Sequence, residues 1–309
     1  MHVLSSEQFT PEMLEDIFLR ASEFEQNVGN DEYDRELAER NKGKIFFNIF
    51  YEPSTRTRMS FGTAAGRLGF HVEQTENAKE FSSAAKGETI EDTVRVLNAY
   101  RPSIITIRHD ETGSLDRAAA ISEAPIFNAG DGKGEHPTQA LLDTYTIQRE
   151  LGRLSGLHTV MGGDLANGRT ARSLAKLLAK HADNSMTFVS VPELQMKDDV
   201  LTLLDENNVK HESTAEMYDA LRMADVVYWT RIQKERLDNP DALPAKGFVI
   251  DQSALEVMKP GAIIMHPLPR VDEIAVVVDD NPRAVYFKQA GNGMFVRMAL
   301  IDMVMKGEL

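Results

Sequence analysis

Short β-rich runs alternate with helical patterns along most of the chain, and this alternation constrains the fold more than any other feature. A first series of apolar runs covers residues 44–50, 104–108 and 125–130. Helical patterns at 55–70 and 89–100 separate the first two runs, with apolar residues recurring every three to four positions. Such alternation predicts an α/β fold, in which parallel strands form a sheet and the connecting helices cover both of its faces.

A second series of the same kind begins near residue 158. Its predicted strands cover 158–164, 186–191, 224–231, 247–251 and 262–269, and its predicted helices cover 170–182 and 214–224. With 309 residues, the chain has the length of two domains of about 150 residues each. We therefore predict two doubly wound domains, each with a central parallel sheet flanked by helices, joined at the helix that begins near His136. The final helix has no strand after it and could pack on either domain.

The composition excludes several classes of protein. Hydrophobic residues make up 42% of the chain and charged residues 27%, as in soluble globular proteins, and no apolar run approaches the ~20 residues of a membrane helix. A formal net charge of -14 argues against a nucleic-acid-binding protein, which would show a basic face. The N-terminal segment lacks the pattern of a signal peptide and the chain has no cysteine, which together predict a cytosolic protein without disulfides.

Arginines and a histidine follow the predicted strands at the points where the strands end. In open α/β sheets, ligands bind beyond the carboxyl ends of the strands. The residues in these positions are Ser54–Arg58, Arg108, His136, Arg169, Arg231 and the segment 266–270. Because an acidic chain has concentrated its arginines at these ends, we predict a shared anionic ligand there.

The stretch FYEPSTRTRMSF, residues 50–61, places hydroxyl and guanidinium groups where a strand gives way to a helix. Ser54 is in the position of a helix cap, and the unpaired backbone N–H groups of a first helical turn attract anions. With the Thr55 and Thr57 hydroxyls and the Arg56 guanidinium added, the turn has enough donors to surround a phosphate. The alternative is an ordinary capped helix with two solvated arginines.

Three further motifs bear on the ligand. His136 precedes Pro137 at a helix start, with Gln139 in the first turn, so that the pair could contact a carbonyl oxygen and an amide. Leu268 lies between two prolines, where an X-Pro bond can be cis and backbone oxygens could bind an NH2 group. The segment GGDLANGRT, 162–170, does not match G-x-G-x-x-G, and the histidines lack metal-ligand spacing, so we predict neither a cofactor nor a metal.

Taken together, these motifs resemble the aspartate and ornithine carbamoyltransferase family. The resemblance runs in order from about residue 44 to the C-terminus and includes KGETIEDT, NAGDGKGEHPTQALLD, GDLANGRTARSL, TRIQKERL, HPLPRVDEI and QAGNGMF. The S-T-R-T, H-P-T-Q and H-P-L-P-R segments favour the aspartate branch, because the ornithine branch carries a cysteine in the last loop. The alternatives are an ornithine-type enzyme and a non-catalytic homologue that serves as a structural partner.

The resemblance implies that the chain transfers the carbamoyl group of carbamoyl phosphate to the amine of L-aspartate. The products are N-carbamoyl-L-aspartate and phosphate, and the reaction belongs to de novo pyrimidine biosynthesis. A carbamoyl-phosphate-binding domain would comprise 1–135 with 293–309, because the last helix crosses back to it, and an aspartate-binding domain would comprise 136–292. The family also forms homotrimers with shared active sites. The resemblance leaves open whether the chain binds a regulatory chain or another biosynthetic partner.

Site residues follow from the resemblance, position by position. Catalytic roles fall on Arg56, Thr57, Arg108 and His136. The implied carbamoyl phosphate ligands are Ser54, Thr55, Arg56, Thr57, Arg108, His136, Gln139, the Leu268 and Pro269 backbone, and Ser82 and Lys86 of the neighbouring subunit. The implied aspartate ligands are Lys86, Arg169, Arg231, Gln233 and Leu268.

Overall fold

The computed structural model describes residues 1–132, 134–232 and 248–309, which form two compact units. Unit 1 comprises Met1–Leu141 and Gly291–Leu309, and unit 2 comprises Leu142–Ala290. The predicted α/β class with two parallel sheets is confirmed. Among the described residues, no helix combines the length and the apolar character that crossing a membrane would require.

Unit 1 contains a four-stranded parallel sheet. Its strands are Ile45–Phe50 (β1), His71–Thr75 (β2), Ile104–His109 (β3) and Ile126–Asp131 (β4). They lie in the order β2-β1-β3-β4, and every neighbouring pair is parallel. The central strands are rich in β-branched and aromatic residues and largely buried, which is why the sequence shows them as apolar runs.

Helices flank this sheet. They are Pro11–Asn27 (α1), Asp31–Arg40 (α2), Thr55–Arg67 (α3), Ala78–Phe81 (α4), Ile90–Ala99 (α5) and Ser114–Ile121 (α6). The start of α1 is fixed by Thr10, whose hydroxyl accepts a hydrogen bond from the Met13 N–H at 3.3 Å, and by Pro11 at the first helical position. One apolar cluster, to which Val94, Ile105 and Leu115 belong, packs α5 and α6 against the sheet.

Unit 2 contains a five-stranded parallel sheet. Its strands are His158–Gly162 (β5), Ser185–Val189 (β6), Lys210–Thr214 (β7), Val226–Trp229 (β8) and Ile263–Met265 (β9), in the order β7-β6-β5-β8-β9. Its helices include Arg169–Leu178 (α8), Asp198–Glu206 (α9), Met217–Met223 (α10) and Gln252–Val257 (α11). The largest side chain of its core, Trp229, is fully buried.

Two long helices contain the boundaries between the units. Pro137–Leu151 (α7) spans the boundary at 141, and Tyr286–Lys306 (α12) spans the boundary at 290. The last part of α12 belongs to unit 1, where the Arg297 guanidinium donates to the Ser60 hydroxyl at 2.8 Å. The C-terminal helix therefore returns to the first unit, as predicted.

The strand predictions fail in two places. The run at 247–251 is not a strand in its described part: Ile250 makes one isolated bridge with Ile274, and the Asp251 carboxylate caps α11 by accepting from the Ala254 N–H at 3.0 Å. The strands β2 and β7, each at one edge of its sheet, were not predicted either. Edge strands often carry polar and charged residues. In both β2 and β7, the first, third and fourth residues are exposed.

Candidate active site

In unit 1, the predicted anion ligands lie where the strand order reverses, between β1 and β3. Phe50, the last residue of β1, pairs with Arg108 of β3, and the Tyr51 N–H donates to the Arg108 carbonyl at 2.9 Å. The turn after β1 leads directly into α3. The pairing therefore places the start of α3 and Arg108 at the carboxyl edge of the sheet, where α/β folds bind ligands.

The start of α3 differs from the sequence prediction in one respect. Ser54 precedes the helix, but its side chain makes no cap hydrogen bond, and its backbone (φ -159°, ψ 85°) lies outside the usual cap geometry. Ser54 therefore occupies the predicted cap position, but its side chain does not make the expected cap hydrogen bond. Without a serine cap, the first-turn N–H groups and the helix dipole still favour an anion at this end.

Arg108 lies in a largely buried environment, with a carboxylate and a second guanidinium nearby. Its side chain is 15% exposed, and its Nε atom lies 3.2 Å from the Glu52 carboxylate. Burial lowers the pKa of the Arg108 guanidinium, the Glu52 carboxylate opposes that effect, and the nearby charge of Arg56 adds to it. The charge of Arg56 thus acts on Arg108, and the Glu52 carboxylate, whose influence is larger, opposes it.

Thr57 and His136 come together from different parts of the chain. Both side chains are buried, and the Thr57 Oγ1 lies 3.5 Å from the His136 Nε2. His136 directly precedes α7, and its carbonyl accepts from the N–H of Gln139, which is half-buried in the first turn. The structure therefore brings the starts of α3 and α7 to one place, as the motif pattern predicts for a carbonyl-binding group.

Ser82 and Lys86 lie on an exposed segment between α4 and α5. The Ser82 hydroxyl donates to the Ala78 carbonyl and accepts from the Ala84 N–H at 3.2 Å, while Lys86 and the neighbouring Phe81 are exposed, the latter by 79%. Among the described residues of this single chain, neither Ser82 nor Lys86 contacts the start of α3. Their predicted role in a partner's site stays a prediction.

A cavity of about 360 Å³ lies near the same segment in unit 1. Its lining includes Tyr51, His109 and Arg117, and none of the predicted substrate ligands belongs to it. The His109 ring centroid lies 4.5 Å from that of Tyr51, with the two rings tilted by 49°, and burial lowers the pKa of His109. The cavity is therefore separate from the group formed by Thr57, Arg108 and His136.

In unit 2, the strand order reverses between β5 and β8, and the two predicted carboxylate ligands follow these two strands. Arg169 is the first residue of α8, and Arg231 lies two residues beyond β8. The glycine pair at the end of β5 allows a close approach of β8. A Cβ atom at Gly162 would lie 2.3 Å from the Trp229 ring, and one at Gly163 (φ +106°) would lie 2.1 Å from the Thr230 carbonyl. The glycines thus serve packing, which agrees with the absence of a nucleotide-binding motif.

The loop after β9 has an unusual backbone. The Leu268–Pro269 bond is cis, and Leu268 has a φ of +52°, a left-handed conformation that costs a residue such as leucine about 1–2 kcal/mol. The Leu268 N–H donates to the His266 Nδ1 at 2.8 Å, and the His266 Nε2 lies 2.7 Å from the Glu273 Oε1. His266 and Glu273 are buried and were not predicted as functional, although both belong to HPLPRVDEI.

The predicted ligand Gln233 lies outside the described residues. Within the part of the chain that the structure describes, no group of three or more His, Cys, Asp or Glu side chains could hold a metal ion.

Each unit carries an arginine where its strand order reverses, the place where α/β folds bind ligands, and comparison with known proteins identifies the family. The family model for the carbamoyl-P binding domain of aspartate/ornithine carbamoyltransferase matches residues 1–149, and the model for the Asp/Orn binding domain matches residues 155–304. The chain belongs to the aspartate/ornithine carbamoyltransferase family, as its motifs indicated, and it is a transferase.

Individual relatives place the chain in the aspartate branch. It is 51% identical to a chloroplastic aspartate carbamoyltransferase of Arabidopsis thaliana, over 99% of this chain and 78% of the relative. The solved catalytic subunit of M. jannaschii aspartate transcarbamoylase is 40% identical, with a TM-score of 0.89 and coverage of 99% and 98% of the two chains. The Trypanosoma cruzi enzyme in complex with N-(phosphonacetyl)-L-aspartic acid is 38% identical, with a TM-score of 0.89 and coverage of 97% and 94%.

The prediction of a cytosolic protein is wrong. The relative from Arabidopsis thaliana is chloroplastic, and so are similar relatives from Pisum sativum and Oryza sativa. The prediction depended on the absence of cysteine and of a signal-peptide pattern. Both observations concern disulfides and secretion, and neither distinguishes one reducing compartment of a cell from another.

Proposed function

We propose that this chain catalyses the transfer of the carbamoyl group of carbamoyl phosphate to the amine of L-aspartate, giving N-carbamoyl-L-aspartate and phosphate in de novo pyrimidine biosynthesis. The observation that carries the proposal is the 3.5 Å approach of the Thr57 Oγ1 to the His136 Nε2 in unit 1, with Arg108 on β3 at the same edge of the sheet. A buried hydroxyl and imidazole, with a guanidinium at the same sheet edge, suit a carbonyl oxygen that becomes negative during the reaction.

Carbamoyl phosphate takes its contacts mainly from unit 1. The phosphate binds at the start of α3, where Ser54, Thr55, Arg56 and Thr57 supply hydroxyl, guanidinium and backbone donors and Arg108 supplies a second guanidinium. The charge of Arg56 near Arg108 supports this assignment, because a phosphate dianion balances two guanidinium groups. Thr57, Arg108 and His136 bind the carbamoyl oxygen, while Gln139 and the backbone carbonyls of Leu268 and Pro269 bind the carbamoyl nitrogen.

L-aspartate takes its contacts mainly from unit 2. Arg169 and Arg231 bind its two carboxylates, with Gln233, Lys86 of a neighbouring subunit and the Leu268 backbone as further ligands. Two guanidinium groups at adjacent strand ends support a dicarboxylate, since a planar guanidinium pairs with a carboxylate through two hydrogen bonds. Ornithine, with a second amino group in place of the side-chain carboxylate, has the wrong charge for this pair.

The reaction needs no nucleophilic side chain. The unprotonated amine of aspartate attacks the carbamoyl carbon, the carbonyl oxygen gains negative charge, and the bond from carbon to the phosphate oxygen then breaks. The departing phosphate accepts the proton that the amine loses. Holding the two substrates in contact supplies up to ~7–11 kcal/mol of the barrier reduction, and each donor to the oxyanion adds about 10²–10³-fold.

The shared active site of a homotrimer is part of the proposal. The exposure of Phe81 and Lys86 on one segment of the single chain supports it, because both side chains are accessible to a neighbouring chain. Ser82 and Lys86 then reach the phosphate bound to the neighbouring chain.

Mixing two inactive variants tests the shared site. Arg56→Ala and Lys86→Ala chains are each expected to be nearly inactive, and trimers re-assembled from an equal mixture should regain about a quarter of the wild-type activity. Wild-type chains taken through the same dissociation and re-assembly serve as the control. If the Arg56→Ala and Lys86→Ala mixture regains nothing while the re-assembled wild type is active, the site is not shared.

The reaction itself is tested by offering carbamoyl phosphate with L-aspartate and L-ornithine at equal concentrations. The expected products are N-carbamoyl-L-aspartate and phosphate in equal amounts. Carbamoyl ornithine as the main product, or phosphate without a carbamoylated amine, would contradict the proposal.

A further inference from the structure

We propose that His266, oriented by Glu273, is a positioning residue that makes the chain selective for a carbamoyl phosphate over other acyl phosphates. It acts through the backbone of Leu268 and Pro269, whose carbonyls accept hydrogen bonds from the carbamoyl NH2. The inference rests on the proposed function, because only that function assigns the two carbonyls a ligand.

The hydrogen-bond geometry fixes the protonation state of the imidazole. The Leu268 N–H, 2.8 Å from the His266 Nδ1, can only donate, so that Nδ1 carries no proton and accepts. The Nε2 atom then carries the proton and donates to the Glu273 Oε1 at 2.7 Å. Glu273 therefore selects the tautomer that can accept from Leu268.

The Glu273 carboxylate also accepts hydrogen bonds from the backbone of its own loop. Its second oxygen, the Glu273 Oε2, accepts from the Val271 N–H at 3.1 Å and from the Asp272 N–H at 3.2 Å. Burial alone would raise the pKa of Glu273, but the hydrogen bonds from His266 and from the backbone outweigh it and lower the pKa. The carboxylate thus stays ionised at neutral pH, and it binds both the His266 ring and the backbone N–H groups of Val271 and Asp272.

A buried network anchors the pair within unit 2. The backbone N–H of His266 donates to the Gln289 Oε1 at 2.9 Å, and the Gln289 Nε2 donates to the Asp143 Oδ1 at 2.6 Å. The Tyr228 hydroxyl donates to the other Asp143 oxygen at 2.8 Å. The backbone at His266 is therefore tied to α7, β8 and α12, while the imidazole itself is held by its bonds to Leu268 and Glu273.

Leu268 needs this support because its backbone conformation is unfavourable for a side-chain-bearing residue. Its φ of +52° lies in the left-handed region, and such conformations persist where the surroundings determine them. The bond to His266 fixes the peptide plane between Pro267 and Leu268. The Leu268 carbonyl lies in the next peptide plane, and the φ and ψ angles of Leu268 set its direction relative to the first plane. A loop free to relax would turn the carbonyls away from an NH2 group.

Two substitutions separate the two functions of the imidazole. In His266→Asn, the side-chain oxygen takes the place of Nδ1 and can still accept from the Leu268 N–H. In His266→Gln, the side-chain NH2 takes the place of Nε2 and can still donate to Glu273, but no acceptor faces Leu268. Acetyl phosphate is the matched ligand, because it has the same phosphate and carbonyl with a methyl group in place of the NH2.

Isothermal titration of the full-length chain with both ligands gives the test. We expect His266→Gln to raise the Kd of carbamoyl phosphate about tenfold and that of acetyl phosphate by less than about twofold. His266→Asn should raise the Kd of carbamoyl phosphate about threefold, less than His266→Gln. Equal weakening of both ligands by His266→Gln, or a larger loss of selectivity in His266→Asn, would overturn the inference.

A third variant keeps the test decisive if both substitutions at His266 unfold the chain, which circular dichroism would report. Glu273→Gln retains the imidazole and is expected to weaken carbamoyl phosphate about threefold with acetyl phosphate unchanged. Equal weakening of the two ligands in this variant would also overturn the inference. An unmutated chain that forms no carbamoyl aspartate would overturn the proposed function, and the inference with it.

Discussion

The start of α3 and the loop after β9 both bear proposed ligands of carbamoyl phosphate, but they are built in different ways. At α3, the ligands are donors: the first-turn N–H groups, hydroxyls and Arg56, with no side-chain cap from Ser54. In the loop, the ligands are backbone acceptors, and buried side chains such as His266 and Glu273 hold them. A helix end binds an anion through its own geometry, whereas a carbonyl site needs a supporting network.

The largest expected effect comes from removing a donor at α3. We predict that Arg56→Ala lowers kcat/KM for carbamoyl phosphate by about 10³-fold, because a charge-assisted contact to the phosphate is lost. Arg58 is the matched control, since it lies on the same helix and pairs with Glu76 at 2.9 Å. Steady-state kinetics should show Arg58→Ala within about threefold of the wild type. A similar loss in both variants would mean that the helix start is not the phosphate site.

A smaller loss is expected for the residue that joins α3 to α7. His136→Ala should lower kcat by about 10²-fold, because one donor to the developing oxyanion is removed. The affinity for inorganic phosphate should change by less than about threefold, since phosphate has no carbonyl for His136 to bind. A large change in phosphate affinity with kcat preserved would assign His136 to the phosphate instead.

Substitution of an arginine that binds a carboxylate of aspartate in unit 2 should change the KM for aspartate and leave the KM for carbamoyl phosphate unchanged. Arg169→Ala is expected to raise KM for aspartate about 50-fold, because one guanidinium–carboxylate pair is lost. Arg172 lies on the same helix and pairs with Asp199, so Arg172→Ala is the control and should leave this KM within about threefold. If Arg172→Ala raised KM as much, the effect would come from the helix and not from a contact with aspartate.

The smallest effect concerns the charge that holds the loop after β9. The pKa of Glu273 is lower in the folded chain than its usual value of 4.5. The ionised carboxylate therefore stabilises the fold at pH values above 4.5, and this stabilisation is lost as the pH falls through the pKa of the folded chain. The wild type should therefore have a higher Tm than Glu273→Gln at neutral pH, and the difference should shrink on acidification. A difference that grows at low pH would contradict the ionised carboxylate.

The two regions also differ in how far sequence predicted them. The start of α3 was predicted because all its parts lie within a few residues, at the junction of an apolar strand and an amphipathic helix. The lack of a Ser54 cap was not predictable, since it depends on a backbone angle at one residue. The two central sheets were predicted from their apolar runs, whereas β2 and β7 have polar, exposed sequences without such a signal.

The loop after β9 shows what sequence does not contain. Its prolines and the possibility of a cis bond were evident, and the Leu268–Pro269 bond is cis. The contact from His266 to Glu273 spans seven residues of irregular chain, and the one from His266 to Gln289 spans 23. Such contacts depend on which distant residues the fold brings next to the loop. The sequence of the loop alone therefore cannot reveal which side chains support its backbone.

Calorimetric titration with inorganic phosphate tests most directly the central claim, that unit 1 binds the phosphate and unit 2 binds aspartate. The wild type and Arg169→Ala should bind phosphate with Kd values within about threefold of each other, and Arg56→Ala should bind at least about 30-fold more weakly. This result would place the phosphate at the start of α3 in unit 1. Undiminished binding by Arg56→Ala, with binding lost in Arg169→Ala, would contradict the account.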